Sequence, residues 1–590
     1  MCGIAGIMTT SAGAPPSALL EGFLRALSHR GPDGEGRYSA PSVGLVQTRL
    51  AIIDLSTGDQ PLYGKDGTAL VANGEIYNYV ELKRDFPGTA FKTNSDCELP
   101  LAVYARDGAD FARPLRGMYA IALHDAHDHA LYLARDPFGI KPLYYAEYPG
   151  GIVFASELQA LLKTGLVATK IRPEAAGELV QLQFTTGRST IFEGIFRVAP
   201  GETLTLRGGR IVGRRQNPAL PEGPPAKLGE SEALKLLDAA LMDSVAVHQR
   251  SDVPYGMFLS GGIDSSAILA CMARLNEKPV RAFTVGFPET SAHDERDHAR
   301  RVAKSVGAEH VEIAVTQEDF WRHLPGIAAA MDDPAADYAM LPTYLLAAEA
   351  ANELKVVLTG EGGDELFAGY GRYRSALRSP FLGGRPMRRR GFLDGLGVLR
   401  DSSRRWRAGI TAAERRLGVG DYTRLQQAQA LDCADWLPND LLLKVDRCLM
   451  VHGLEGRTPL LDPVVADLAF RLPDALKIAH GKGKYLLRRW LETALPEADP
   501  FAEKRGFTVP VGEWMRPRAR RLAPLIARSA GIGEICHPEK VEALFGVFDD
   551  RGGKHEGAAC WQLLFYALWH AIHVERRSAT GDVFATLEAK

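Results

Sequence analysis

Apolar residues in the first part of the chain come in short or alternating runs separated by Gly, Pro, Asn and Asp. Such runs are typical of paired strands joined by tight turns, whereas apolar residues spaced three and four positions apart indicate helices. We therefore predict a β-rich region over roughly the first 210 residues. Strands are predicted at residues 43–54, 69–76, 119–123, 130–134 and 152–155, and helices at residues 18–27 and 96–107.

A stretch rich in Pro, Gly and polar residues, 213–230, follows this region and is typical of an extended linker. After it, short apolar strands alternate with helical patterns, which indicates a parallel sheet covered by helices. Beyond about residue 370 the pattern is mostly helical. We therefore predict one domain at residues 1–212 and a second at 231–590. In the second, strands are predicted at 255–259, 280–287 and 356–358, and helices at 232–249, 265–275, 296–306 and 558–574.

Composition limits the classes of binding partner and the cellular compartment that we expect for this protein. The 590 residues include 70 Lys and Arg against 72 Asp and Glu, so no global field attracts nucleic acid or anionic membrane. No apolar run approaches the roughly 18 residues of a membrane span, and the N-terminus lacks the features of a signal peptide. The seven cysteines are scattered without a CxxC pair, which argues against a disulfide framework. We expect a reduced, cytoplasmic protein without nucleic-acid or membrane partners.

Two polar stretches suggest binding but have simpler interpretations. Arginines cluster within residues 385–416, where a solvated face is favoured over a phosphate or RNA patch. Histidines and aspartates alternate at 124–129, but this segment lies between two predicted strands, so we interpret it as a hairpin turn rather than a metal site. We assign no chemistry to the last ~75 residues, whose pattern is helical.

Cys2 follows the initiator Met1 directly. If Met1 is removed, Cys2 carries both a thiol and a free α-amine, whose usual pKa is about 7.7–8. A nucleophile then stands beside its own base, as in enzymes that use an N-terminal threonine. A cysteine at this position is weak evidence alone, and its neighbours in sequence decide its interpretation.

Four ordered motifs give Cys2 its context. They are MCGIAG at 1–6, SHRGPD at 28–33, NGEIYN at 73–78 and ARDPFGIKPLYY at 134–145. Together they resemble the glutaminase domain of class II glutamine amidotransferases, which are N-terminal-nucleophile hydrolases. The resemblance implies an α+β fold, a four-layer αββα sandwich, for this half of the chain.

The same resemblance implies roles for individual residues. Cys2 would attack the side-chain amide of glutamine and release ammonia, while the Asn73 side chain and the Gly74 N–H stabilise the oxyanion. Asp96 also stands in a helix-start signal, and the two roles are compatible. Glutamine would be bound by Arg49, Asn73, Gly74, Glu75 and Asp96.

A second constellation begins with LSGGIDSS at 259–266, between a predicted strand and a predicted helix. Backbone N–H groups and hydroxyls at a helix N-terminus suit an anion, and the GxxxxGK[ST] pattern of a Walker A loop is absent. The segment resembles the PP-loop of ATP pyrophosphatases, which implies an α/β parallel-sheet domain with a largely helical C-terminal part. ATP would be bound by Leu259, Ser260, Gly261, Gly262, Asp264, Ser265, Ser266, Val285, Thr359 and Gly360.

The segment LTGEGGDELF at 358–367 resembles the SGEGxDE motif of asparagine synthetases, with a threonine in place of serine. With the other motifs, the resemblance to the glutamine-dependent asparagine synthetase family extends over about residues 1–515. It implies that Asp264 and Asp364 bind Mg²⁺, whose preferred ligands are oxygens. It also implies that Glu361 assists formation of the intermediate and that Lys484 stabilises charge at the α-phosphate.

The implied reaction uses ATP to convert a carboxylate into an acyl-AMP, which ammonia from Cys2 attacks after passing through an internal tunnel. The resemblance also implies a homodimer, on which the sequence itself is silent. Residues 331–343 (MDDPAADYAMLPT) replace the T-x-R-A-S-T-P-M stretch of many members. We favour L-aspartate as acceptor. Because of this departure we keep a peptide, sugar acid or natural-product carboxylate as the alternative.

Two other classes of function fit the sequence less well. PP-loop chemistry on tRNA predicts a basic RNA-binding module or thiolation cysteines near the loop, and neither is evident. A non-catalytic regulatory or storage protein predicts the loss of catalytic residues, yet Cys2, Asn73, Gly74, Asp264 and Asp364 are all present.

Overall fold

The computed structural model describes residues 2–65, 67–292, 294–378, 387–417, 421–502 and 508–589. Its strands are β1 (Gly3–Thr9), β2 (Gly34–Ala40), β3 (Val43–Arg49), β4 (Leu62–Tyr63), β5 (Thr68–Ile76), β6 (Gly117–Asp125), β7 (Ala130–Arg135), β8 (Tyr144–Tyr148), β9 (Gly151–Ala155), β10 (Ile195–Arg197), β11 (Glu202–Arg207), β12 (Arg210–Gln216), β13 (Tyr255–Phe258), β14 (Arg281–Gly286), β15 (Glu309–Ala314), β16 (Val356–Leu358) and β17 (Glu455–Arg457).

The helices are α1 (Ser17–Leu27), α2 (Tyr79–Leu82), α3 (Leu99–Asp107), α4 (Leu158–Leu162), α5 (Pro173–Leu182), α6 (Glu230–His248), α7 (Ile263–Leu275), α8 (Arg296–Ser305), α9 (Gln317–Ala330), α10 (Met340–Ala350), α11 (Gly363–Leu366), α12 (Gly371–Leu377), α13 (Ala408–Leu417), α14 (Arg424–Leu431), α15 (Leu442–Met450), α16 (Pro463–Arg471), α17 (Asp474–Lys477), α18 (Tyr485–Ala494), α19 (Val511–Met515), α20 (Ala519–Ala527), α21 (Ala530–Ile535), α22 (Pro538–Arg551), α23 (Lys554–His573) and α24 (Val583–Glu588). None of these helices is both long and apolar enough to cross a bilayer.

Two antiparallel six-stranded sheets form the N-terminal half, in the orders β10-β8-β9-β1-β3-β2 and β12-β11-β7-β6-β5-β4. Alternate residues of β1 face opposite sides, as the pleat of a strand requires. Ile4 and Met8 join the core that holds residues of both sheets, while Ala5 and Ile7 join the core beneath α1. Helix α3 packs on the outer face of the second sheet. These layers confirm the predicted αββα sandwich.

A parallel five-stranded sheet, in the order β15-β14-β13-β16-β17, forms the core of the C-terminal half. The two glycine-rich loops follow β13 and β16, which are neighbours in this sheet. The carboxyl ends of adjacent parallel strands meet at one edge, which is where ligands bind in open α/β sheets. The predicted α/β domain is therefore confirmed. Strand β17 escaped prediction because its sequence, EGR, lacks an apolar run.

Several predicted boundaries shift. The strand predicted at 43–54 ends at Arg49, and the chain continues into a loop that contains a left-handed residue, Asp54, at φ +56°. Strand β12 runs to Gln216, past the predicted domain boundary at 212. The predicted turn within 124–129 is confirmed, since β6 ends at Asp125 and β7 begins at Ala130.

The arginine-rich segment 385–416 is not uniformly a solvated face. The Arg388 guanidinium lies 3.7 Å from the ring centroid of Trp436 and 3.4 Å from an Asp432 oxygen. Stacking on an aromatic face is a favourable use of a guanidinium in a partly buried place. Residues 385 and 386 lie outside the described part of the chain.

The C-terminal helices support the segment that departs from the family pattern. Helix α23 is almost wholly buried. Trp569 Nε1 donates to the Met331 carbonyl at 2.8 Å, and Trp561 Nε1 donates to the Ala336 carbonyl at 2.7 Å. The indole N–H groups thus satisfy backbone carbonyls that would otherwise be buried unpaired. The last part of the chain therefore fixes the path of residues 331–336.

Candidate active sites

Cys2 lies buried immediately before β1, beside Asn73 of β5. The Cys2 backbone N–H donates to Asn73 Oδ1 at 3.0 Å, which aims the amide group at this end of the strand. Asn73 Nδ2 is buried and has no hydrogen-bond partner among the described residues. Burial raises the pKa of the Cys2 thiol, against the N-terminal charge and a backbone hydrogen bond from Leu50. A buried, unused amide donor next to a thiol is what a developing oxyanion requires.

Gly74 is required by space at its position in β5. A Cβ atom there would lie 2.0 Å from the Met118 carbonyl oxygen and 2.6 Å from Tyr119 Cα, both in the paired strand β6. Because backbone atoms cannot retreat as a flexible side chain does, any larger residue would displace β5 from β6. The backbone beside Asn73 is thus held where the resemblance implies the second oxyanion donor.

Arg49 ends β3, whose Thr48 stands opposite Gly3 of β1. The guanidinium is buried, and its Nη1 lies 2.6 Å from an oxygen of Asp59, whose side chain is 82% exposed. Its Nη2 donates to the Asp54 carbonyl at 2.5 Å. A substrate carboxylate can replace an exposed partner of this kind at little cost, because a solvated ion pair contributes little. The position therefore suits the predicted role of Arg49.

Glu75 and Asp96 form a buried acidic pair next to Cys2. Asp96 Oδ2 accepts the Ile76 N–H at 2.6 Å. Burial, followed by the charges of Asp96 and Glu455, raises the pKa of Glu75 well above its usual range. Glu75 Oε2 lies 3.4 Å from Arg457 Nη2, on the C-terminal half. Two carboxylates in a dry site suit an ammonium group, and Arg457 is a neighbour that received no role from the sequence.

A cavity of about 340 Å³ opens between the two glycine-rich loops. The first loop is braced by its own serines, since the Ser260 N–H donates to Ser265 Oγ at 3.2 Å. Gly261 and Ser266 belong to this loop but do not line the cavity. The predicted residues that do line it are Leu259, Ser260, Gly262, Asp264, Ser265, Val285, Thr359, Gly360, Glu361 and Asp364.

Lys484 bridges the carboxylates of the two loops. Its Nζ lies 2.5 Å from Asp264 Oδ2 and 2.6 Å from Asp364 Oδ1. Burial alone would lower the pKa of Lys484, but the two carboxylates raise it. A Cβ at Gly369 would lie 1.8 Å from Asp364 Oδ1, so the glycine makes room for this contact. Two carboxylates converging on one cationic point also fit the donor chemistry of Mg²⁺.

Lys444 lines the same cavity and forms a buried ion pair with Asp337, with Nζ 2.8 Å from Oδ2. Burial raises the pKa of nearby Glu361, which the charge of Lys444 opposes. The sequence analysis assigned neither Lys444 nor Asp337 a role. A lysine inside the apolar run LLLKV of α15 was the available signal, because a buried lysine needs a partner.

Buried ion pairs join the two halves. Arg30 donates two hydrogen bonds to Asp446, at 2.8 and 2.9 Å. Arg197 donates two to Asp333, both at 2.8 Å. Asp332 and Asp333 of the 331–343 segment thus bind groups of the N-terminal half, whereas Asp337 pairs with Lys444.

The N-terminal half places a thiol beside an amide donor in an αββα sandwich, and the C-terminal half places a two-loop cavity on a parallel sheet. Together these features define an enzyme that couples amide hydrolysis to ATP-dependent chemistry. Residues 1–216 match the family model for a glutamine amidotransferase domain, and residues 236–571 match that for asparagine synthase. The chain therefore belongs to the glutamine-dependent asparagine synthetase family, which uses ATP and glutamine as substrates.

Three relatives illustrate the breadth of the matches. The chain is 34% identical to asparagine synthetase [glutamine-hydrolyzing] 1 of Bacillus subtilis, over 98% of both chains. It is 35% identical to a putative asparagine synthetase [glutamine-hydrolyzing] of Mycobacterium bovis, again over 98% of both. It is also 26% identical to the amidase chry2 of Gibberella zeae, over 98% of this chain and 100% of that one. Two of these relatives are therefore named asparagine synthetases and one is named an amidase.

Proposed function

We propose that the chain converts L-aspartate, L-glutamine and ATP into L-asparagine, L-glutamate, AMP and pyrophosphate. The observation that carries this proposal is the presence, in one chain, of the Cys2–Asn73 constellation and the two-loop cavity with Lys484. An amidotransferase acting on a peptide, sugar acid or natural-product carboxylate is the second candidate, since the matched relatives include proteins named amidases.

In the N-terminal half, removal of Met1 would turn the Cys2 N–H into an α-amine that takes the thiol proton. The sulfur then attacks the amide carbon of glutamine, and Asn73 Nδ2 and the Gly74 N–H hold the resulting oxyanion. The carbon–nitrogen bond breaks as the leaving nitrogen takes the proton held by the α-amine, so that ammonia departs and a γ-glutamyl thioester remains. Water then hydrolyses the thioester to glutamate and restores the thiol.

In the C-terminal half, the loop before α7 would hold the ATP phosphates with its backbone N–H groups. An acceptor carboxylate oxygen attacks the α-phosphorus, pyrophosphate leaves, and Lys484 stabilises the charge that develops. Mg²⁺, if held by Asp264 and Asp364, would neutralise phosphate charge. Ammonia then attacks the acyl carbon and AMP leaves. Glu361, a half-buried carboxyl that lines the cavity, is suited to take the proton that the attacking nitrogen loses.

The ion pair of Lys444 and Asp337 supports an amino acid as the acceptor. An α-amino acid presents a carboxylate and an ammonium side by side, so its recognition needs a cation next to an anion. Lys444 lines the cavity, and its Nζ lies 2.8 Å from Asp337 Oδ2, so a cation stands next to an anion. A sugar acid or a peptide interior lacks the ammonium that the Asp337 carboxylate would bind.

Product analysis tests the proposal directly. With ATP, Mg²⁺ and glutamine, we expect AMP and pyrophosphate release that depends on L-aspartate, together with asparagine detected by mass. Cys2→Ala should abolish the use of glutamine and retain synthesis from ammonia, because only the first site loses its nucleophile. Glutaminase activity without aspartate-dependent AMP would reject aspartate in favour of another carboxylate. A folded Cys2→Ala variant that is inactive with ammonia would contradict the two-site scheme.

We also propose that the enzyme works as a cytoplasmic homodimer. All seven cysteines are free thiols, which supports a reducing compartment, and the dimer rests on the family resemblance. Light scattering on the purified chain should give twice the mass of 64.2 kDa. A monomeric mass across the working concentration range would reject the dimer.

A further inference from the structure

Arg457 places a charge of the C-terminal half inside the N-terminal site. It is the last residue of β17, and its guanidinium is fully buried. Nε lies 2.6 Å from Glu455 Oε1, and Nη2 lies 3.4 Å from Glu75 Oε2. The residue therefore touches the acidic pair that faces Cys2, although it belongs to the ATP-binding half.

The guanidinium is held firmly in this position. Nη1 donates to the backbone carbonyls of His248, at 2.8 Å, and Arg250, at 2.6 Å. The Arg457 carbonyl in turn accepts the Thr359 N–H at 2.8 Å, in the second glycine-rich loop. A planar guanidinium that is held by several acceptors can orient a carboxylate with little loss of side-chain entropy.

One edge of this arrangement remains open to a ligand. Arg457 Nη2 and Glu75 Oε2 are both buried, and neither makes a hydrogen bond to the described residues. Their 3.4 Å separation is an ion pair without a hydrogen bond. Buried polar atoms of this kind are costly unless a ligand or water completes them.

We propose that Arg457 is a positioning residue for glutamine, which keeps Glu75 ionised and oriented to receive the α-ammonium of the substrate. The inference rests on the proposed function, because it assigns glutamine to the N-terminal site. Several titratable groups face Glu75, and Arg457, followed by the N-terminal charge, offsets its acidic neighbours. Those groups are Cys2, Tyr77, Tyr79, Asp96, Cys97, Glu455 and Arg457.

The physical reason is the cost of a buried negative charge. Burial, Asp96 and Glu455 all raise the pKa of Glu75, whereas Arg457 and, to a lesser extent, the N-terminal charge lower it. Without Arg457 more of Glu75 would be protonated at neutral pH, and a neutral carboxyl binds an ammonium poorly. The affinity for glutamine would then fall, and raising the pH would restore part of it.

Glutaminase kinetics of the full-length variants Arg457→Met and Arg457→Lys test the inference across pH 6–9. Because one pKa unit corresponds to a tenfold change, we expect Arg457→Met to raise KM for glutamine about tenfold or more. KM should decline as pH rises, while kcat changes less. Arg457→Lys should recover most of the affinity, because it restores the cation. Synthesis from ammonia should persist in both variants.

Two further variants separate positioning from a structural role. Glu75→Gln should raise KM without the pH dependence, and adding Arg457→Met to it should cost little more, since both act through one carboxylate. Arg471→Met is the matched control, because its side chain forms an exposed pair with Asp467 at 2.9 Å. We expect it to keep the wild-type KM.

An unchanged KM and pH profile in Arg457→Met would overturn the inference. So would parallel losses of glutaminase and of synthesis from ammonia, which would indicate a structural role. If Arg457→Met does not fold, a wild-type KM and pH profile in Arg457→Gln would overturn it equally. Absence of glutaminase activity in the wild-type chain would instead refute the proposed function.

Discussion

At the residue scale, the two sites handle buried charge in different ways. In the cavity between the loops, Lys484 lies between two carboxylates and compensates both. Near Cys2, by contrast, Asn73 Nδ2 and Glu75 Oε2 are buried without hydrogen-bond partners among the described residues. Unused polar atoms in a dry site lower stability, and substrate binding can recover that free energy.

Substituting Asn73 tests the oxyanion role. Asn73→Ala should lower glutaminase kcat by about 10²–10³-fold with a smaller change in KM, because the lost donor acts on the transition state. Asn78→Ala is the matched control from the same motif, since Asn78 Nδ2 donates to the Pro114 carbonyl at 2.9 Å, outside the site. Initial-rate measurements of glutamate release decide the matter. Equal losses in both variants would argue against a catalytic Asn73.

Residues within one motif were predictable, and residues that meet across the fold were not. Cys2, Asn73 and Gly74 lie together as the motifs implied, and the cavity brings Asp264 and Asp364 to one cation. The roles proposed for them remain predictions. Arg457 was missed because Glu75 is distant in sequence. The apolar run around Lys444 indicates a buried cation, but it does not identify Asp337 as the partner.

At the element scale, the short strand β17 has more influence than its length suggests. It completes the parallel sheet beside β16, and two of its three residues are charged and fully buried. Burial would raise the pKa of Glu455, but the N-terminal charge, Arg457 and Lys141 hold it at about 2. A carboxylate whose pKa is lowered on folding stabilises the fold wherever it is ionised.

Glu455→Gln should therefore destabilise the protein, by about 3–5 kcal/mol at pH 7, because Arg457 loses a buried partner. The advantage of the wild type should be complete above pH 4.5, the ordinary value, and should vanish as pH falls towards 2. Urea unfolding midpoints of the two proteins between pH 7 and 3 measure this difference. A difference that is constant over this range would show that ionisation of Glu455 is not its source.

Element predictions succeeded where packing leaves a pattern in the sequence. The strand predicted at 69–76 appears as Thr68–Ile76, and the helix predicted at 18–27 as Ser17–Leu27. The strand predicted at 43–54 was too long, because its apolar residues continue into a loop that also packs in a core. Apolar periodicity reports burial, and it cannot separate a buried strand from a buried loop.

At the scale of the whole molecule, buried ion pairs hold the two sites against each other. Asp446 accepts from Arg30 of the N-terminal half and from Arg447 beside it. Breaking a buried pair is costly because one charge is left uncompensated. The interface is therefore expected to be rigid, which suits the transfer of ammonia from one site to the other.

Asp446→Asn tests that rigidity. The change leaves Arg30 partly unpaired, and we expect a loss of about 3 kcal/mol or more at the interface. Ammonia should then escape, so that more than one glutamate is released per AMP. Asp467→Asn is the control, because Asp467 forms an exposed pair with Arg471 and should be silent. A ratio that stays at one in Asp446→Asn would show that this pair does not seal the interface.

The contact between Arg457 and Glu75 limits how the two halves of this chain can be exchanged with those of a relative. A chimera joined within the linker would take its proposed glutamine site from two parents, since the N-terminal parent supplies Glu75 and the other supplies Arg457. The halves are therefore not interchangeable cassettes. A working hybrid has to inherit β17 from the same parent as the sandwich, or carry a matched exchange at both positions.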